Sequence, residues 1–170
     1  MSGTVARLVL AMGVVMALGA ASAEAKPAGP QTAKCGKFKQ AGNKARFNAC
    51  KKQNEANRLA FEQIKNSTFA GTRGDGEAVE ETFCANGKYE SRSSGSTGTG
   101  ISRGASWTVG DAVVQAGGRK IVAFVSGSGG FEVALTRSGS QWQVGVASLG
   151  RVLYPGSATK TDATAACAAL

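Results

Sequence analysis

The chain has 170 residues, 20 Lys/Arg against 11 Asp/Glu for a net charge of +9, four cysteines and no histidine. Without histidine there is no Ser-His-Asp or Cys-His nucleophilic machinery, and the commonest general base is missing. The cysteines lack the C-x₂₋₄-C spacing of a zinc site, so neither metal nor cofactor is expected, and the reading is non-enzymatic.

In chain order, Arg7 precedes an apolar run from Leu8 to Leu18, followed by small residues ending in Ala-x-Ala. That run is too short for a membrane helix, which needs roughly 20 apolar residues. The pattern is a secretory signal peptide over 1–25. The mature chain is therefore expected to be extracytoplasmic, with no integral membrane segment. Cys35, Cys50, Cys84 and Cys167 then read as disulfide partners. Residues 26–34, which hold two of the three prolines, read as a flexible leader.

Residues 26–66 carry ten Lys/Arg against Glu55 and Glu62, whereas 67–170 is nearly neutral. A continuous helix would hold Cys35 and Cys50 roughly 22 Å apart, and a disulfide needs Cα atoms within about 7 Å. Gly42-Asn43 supplies a break, with Asn43 able to cap the next helix. Folding there sets Cys35 opposite Cys50 and Phe38 opposite Phe47. The expectation for 35–66 is a basic helical hairpin closed by Cys35–Cys50. Its second helix has an apolar stripe, Phe47, Cys50, Phe61 and Ile64, interrupted by Asn54 and Asn57. Lys44, Lys51, Arg58 and Lys65 recur every seven residues and form a candidate polyanion-binding row. Glu55 and Glu62 lie three or four residues from its members, which also fits a solvated, ion-paired face.

From Thr68 the period changes to two. QWQVGVAS (141–148), FEVALTR (131–137), RKIVAFVSG (119–127) and SWTVGDAVV (106–114) read as strands, with a bulge at Gly110. Asn86-Gly87, Gly117-Gly118, GSGG (127–130) and SGS (138–140) are hairpin turns, so successive strands are antiparallel. About eight strands between Thr68 and Tyr154 give a meander, either an up-and-down barrel or a strongly curled sheet. Pairing Cys84 with Cys167 would tie the alanine-rich tail back to this β domain (67–170). The whole is expected to be α+β: the disulfide-linked hairpin, then the antiparallel meander.

Phe69-x-Gly71, Phe83, Asn86-Gly87-Lys88-Tyr89 and the tryptophan-bearing later strands resemble small bacterial lipocalin-like (calycin) domains over about 67–155. The Gly-x-Trp of true lipocalins is absent, and the N-terminal segment is foreign to that family. The resemblance implies a cup for a small apolar ligand but carries over no binding residue; Trp107, Phe131 and Trp142 are the candidate cavity residues, although Trp107 and Trp142 fit core anchors better than ligand platforms.

Other features carry less. Glu77, Glu80 and Glu81 are clustered acids that fit a solvated edge better than a glycosidase pair. Arg73-Gly74-Asp75 reads as a turn, Asn66-Ser67-Thr68 is a glycosylation sequon, and SSGSTGTGISRG (93–104) reads as a mobile loop. The functional expectation is a secreted binding module for a small apolar ligand or an anionic surface polymer, without specific nucleic-acid recognition. A protein–protein or inhibitor role is the alternative.

Overall fold

A computed structural model describes residues 28–96, 98–104, 106–114, 120–127 and 132–170. The expected signal peptide, the first residues of the expected leader, Phe131 and the expected turns within 115–119 and 128–130 lie outside them.

Two short elements come first, β1 (Gly29–Pro30) and α1 (Gly36–Gln40), followed by the long helix α2 (Lys44–Ile64). Nine strands succeed it: β2 (Ser67–Thr72), β3 (Ala78–Phe83), β4 (Tyr89–Gly95), β5 (Gly98–Gly104), β6 (Trp107–Val114), β7 (Lys120–Gly127), β8 (Glu132–Ser138), β9 (Gln141–Ser148) and β10 (Arg151–Asp162). A six-residue helix, α3 (Thr164–Ala169), ends the chain.

The expected α+β chain headed by a helical hairpin is not what forms. The molecule is mostly strand, a ten-stranded mixed sheet, and no N-terminal helical hairpin exists. Gly42 (φ +68°) does break the chain, and Asn43 caps α2 by accepting from the Arg46 N–H at 3.0 Å. The segment before that break is only five residues long and buries nothing, too little helix to form one arm of a hairpin. The strand content exceeds expectation in two places. The Gly/Ser-rich 93–104 pairs as the β4–β5 hairpin instead of looping. The chain beyond Tyr154 continues as β10, because Pro155 falls at a bulge between Leu153 and Gly156, where no ladder N–H is required.

Strand order is β1-β6-β7-β8-β9-β10-β2-β3-β4-β5; β1 joins β6 in parallel and every other pairing is antiparallel. Eight antiparallel steps at about 20–25° of twist each bring the sheet strongly round on itself. Ring contacts record this: Trp107 near one edge meets Phe83, which is three strands in from the other, at 5.2 Å between centroids. Only residues 105–106 separate β5 from β6, so Gly104 and Trp107 lie at most about 11 Å apart. Where β2 crosses β10 the backbones touch, and a Cβ on Gly71 would sit 1.8 Å from the Ser157 carbonyl oxygen.

One face of the curl holds the core, where Phe69, Val79, Phe83, Tyr89, Val109, Ile121, Val125, Leu135 and Val144 pack together. The C-terminal half of α2 packs into it through Ala60 and Ile64, and Phe61 stacks on Trp107 at 5.0 Å. Bonds join Cys35 to Cys50 (Cα–Cα 5.6 Å) and Cys84 to Cys167 (5.3 Å). The second holds α3 to the sheet beside Ala163.

Candidate functional site

The N-terminal half of α2 leaves the core. Its buried positions begin at Asn57, and Gln53 still donates to the Ala112 carbonyl of β6 at 2.9 Å, so the segment from Lys44 to Lys52, about 13 Å long, buries no residue. Asn54 binds the passing leader, accepting from the Ala33 N–H (2.9 Å) and donating to the Ala33 carbonyl (3.0 Å). Beside that clamp, Cys35–Cys50 fixes α1 to α2. Leader, first turn and helix thus form one covalently closed clip.

The clip is cationic throughout. Lys34, Lys37, Lys39, Lys44, Arg46, Lys51 and Lys52 are all exposed, and no acidic residue occurs between 26 and 54. Among the described residues none of the seven has a carboxylate partner. Two lie over aromatic faces, Lys37 on Phe38 at 5.0 Å and Lys51 on Phe47 at 5.8 Å, which holds the ammonium groups beside half-buried rings. At the root of the clip a concavity of about 310 Å³, bordered by Pro30, Lys51, Asn54 and Arg58, separates leader from helix.

The seven-residue row divides at this boundary. Lys44 and Lys51 belong to the clip. Arg58 pairs with Glu55 at 2.6 Å and Lys65 with Glu62 at 2.7 Å, so its lower half is neutralised along the helix. The Arg58 guanidinium holds the Glu55 carboxyl below its ordinary value. Sequence reading by heptad missed Lys34, Lys37, Lys39, Arg46 and Lys52. The absence of any acid over 26–54 was the signal that marks them.

The candidate cavity residues sit elsewhere. Trp107 is fully buried between Phe61 and Phe83, and its indole N–H donates to the Cys84 carbonyl at 2.8 Å. Trp142 meets Phe69 edge-on at 4.9 Å, with the Arg137 guanidinium 5.8 Å from its ring centre. A shallow concavity of about 710 Å³ runs along β9 and β10 past Trp142, bordered by Gln141, Gln143, Ser157, Thr159 and Lys160.

The acidic cluster is split by the pleat. Glu80 is exposed, whereas Glu81 is 3% exposed on the core face, where it accepts the Tyr89 hydroxyl at 2.5 Å. Burial pushes its carboxyl up to about 7, against the Tyr89 and Ser91 hydrogen bonds, and pushes the Tyr89 phenol upward as well. On the other face Glu90 accepts from both Arg103 and Arg92 at 2.6 Å; Arg103 foremost holds that carboxyl low. Arg73 of the Arg-Gly-Asp turn pairs with Asp75 at 3.5 Å and with Glu77. The sequon's Asn66 accepts from the Ala85 N–H at 2.9 Å.

Among the described residues there is no grouping of metal-ligating side chains, and no helix is long and apolar enough to cross a membrane. Compared with protein-family models, curated proteins and solved structures, the chain matches none.

Proposed function

We propose that the protein is an exported, non-enzymatic binding module whose basic clip holds an anionic surface polymer. The observation that carries this reading is the seven exposed cations of 34–52, fixed by Cys35–Cys50 and free of carboxylate partners among the described residues. Cations that no internal acid neutralises present their full field to a ligand, and mounting them on a cross-linked element lowers the ordering cost of binding. Repeated point charges without a base-reading element suit a linear polymer recognised by its charge. An apolar ligand inside the curl would compete for space with Phe61, Trp107 and Phe83, which supports the polymer over the cup.

Retention on an anionic resin tests the reading. Replacing Lys37, Lys39, Lys44 and Arg46 by Gln is expected to lower the salt needed for elution substantially. Replacing both partners of each ion pair by Gln, Arg58 with Glu55 and Lys65 with Glu62, is expected to leave it almost unchanged, since each pair is net neutral. Equal retention of all three proteins would remove the clip from the function.

A further inference from the structure

Along β6, at one edge of the sheet, the outward backbone groups are taken up one after another. β1 pairs with Thr108 and Val109, and the Gln31 N–H donates to the Val109 carbonyl at 2.7 Å. Ala112 accepts from Gln53 and donates to Asn57, each at 2.9 Å. A bulge between Gly110 and Val113 bends the strand as well, so no run is left that could receive another strand.

The opposite edge is bare. β5 stands last in the strand order, and no described residue hydrogen-bonds to its outer side. Every residue of β5 except Gly104 is exposed, so neither of its faces is covered. Its pairing with β4 runs without a bulge, it holds no proline, and its one charge, Arg103, is turned onto Glu90. Bulges, prolines and outward charges are what keep free edges from pairing; without them β5 offers a template for a further strand.

The residues of β5 identify that strand. Laid antiparallel on itself about Ile101, Gly98–Gly104 sets Ile101 opposite Ile101, Gly100 opposite Ser102, Thr99 opposite Arg103 and Gly98 opposite Gly104. Ile101, 59% exposed, gains an apolar partner, and no like charges are opposed. Behind the edge Glu80 stands in register with Arg92, and Glu90 with Arg103. Two charges of each sign make this patch neutral, so copies of a chain of net charge +9 can meet there. Because β6 is closed, β5 can pair only with β5, and a like-with-like contact closes as a twofold dimer and not as a fibre. We propose that β5 is a self-association edge, on which a second copy of this chain docks antiparallel about Ile101 and joins the two sheets. Seven residues give about 24 Å of edge, at the small end of interface sizes, so the dimer is weak and concentration-dependent.

Sedimentation equilibrium of the mature chain, without polymer and at physiological salt, tests this. The average mass is expected to climb with concentration from one chain towards two and to stop there. Ile101→Lys sets two ammonium groups face to face and is expected to weaken association more than about tenfold. Its thermal midpoint is expected to change little, since the position is exposed and at an edge. Cross-linking reads the register. Ile101→Cys brings two thiols within disulfide reach and is expected to oxidise to a covalent dimer at least about tenfold faster than Thr99→Cys, whose thiols lie about 14 Å apart. A chain that stays monomeric, whether β5 is then bare or taken by another protein's strand, would overturn the proposal. So would undiminished association of Ile101→Lys, equal cross-linking of the two cysteine variants, or growth past two copies. No anionic ligand enters the experiment, so its failure leaves the polymer reading standing, and failure of that reading leaves this one.

Discussion

Asn57 shows how a residue that spoils a pattern can carry a contact. It interrupts the apolar stripe of α2, yet it is 4% exposed, donates to the Gln31 carbonyl at 2.8 Å and accepts from the Ala112 N–H at 2.9 Å. Periodicity marked it as a blemish, since nothing in one sequence says that two backbone groups of leader and β6 would need a partner there. Asn57→Ala leaves both unpaired in the interior and is expected to cost about 3 kcal/mol in urea unfolding. Glu81 was misread as solvated for a related reason: the alternation that places Val79 and Phe83 inward places it inward too, but its charge argued otherwise. Its folded carboxyl titrates near 7 against an ordinary 4.5, so between those values the folded chain binds the proton more tightly than the unfolded one. The stability this group contributes is therefore fully present below about pH 4.5 and is lost as pH rises to 7, by up to about 3 kcal/mol. Glu81→Gln, followed by denaturant titration across that range, is expected to flatten the decline and to be the more stable protein at pH 8. An unchanged pH dependence would show that the carboxyl is not buried as described.

At the level of elements, α2 is two helices in one. Phe61 stacks on Trp107 of β6 and Gln53 donates to the Ala112 carbonyl, while residues 44–52 depend on the disulfide and on Asn54. The sequence showed the break at Gly42-Asn43 and the proximity of Cys35 and Cys50. It did not show that the stretch before the break would be a single turn, because five residues without a buried position give no stripe to count. Amide exchange after Cys35→Ala/Cys50→Ala is expected to speed at least tenfold over 44–52 and to stay unchanged in β7 to β9. Uniform acceleration would mean that the clip and the sheet unfold together. Strands with clean alternation, β8 and β9 above all, were legible from sequence. β5 and the far part of β10 were not, because glycines and Pro155 hide pairing that only neighbouring strands supply.

For the whole molecule, charge is segregated: a cationic clip stands on a nearly neutral sheet that curls around α2 and is tied at its tail by Cys84–Cys167. The asymmetry was visible in composition, but which cations are available was not. That depended on Glu55 and Glu62 closing onto Arg58 and Lys65, and on the leader lying along the helix. The sheet gives the clip a rigid base without itself being charged to match. The decisive measurement is the salt dependence of affinity for a linear polyphosphate, as log Kd against log salt, for the mature chain and the variant with Lys37, Lys39, Lys44 and Arg46 replaced by Gln. Counterion release predicts a slope lower by about 3 in the variant, together with much weaker binding at low salt. Identical slopes and affinities for the two proteins would contradict a polymer held by the clip.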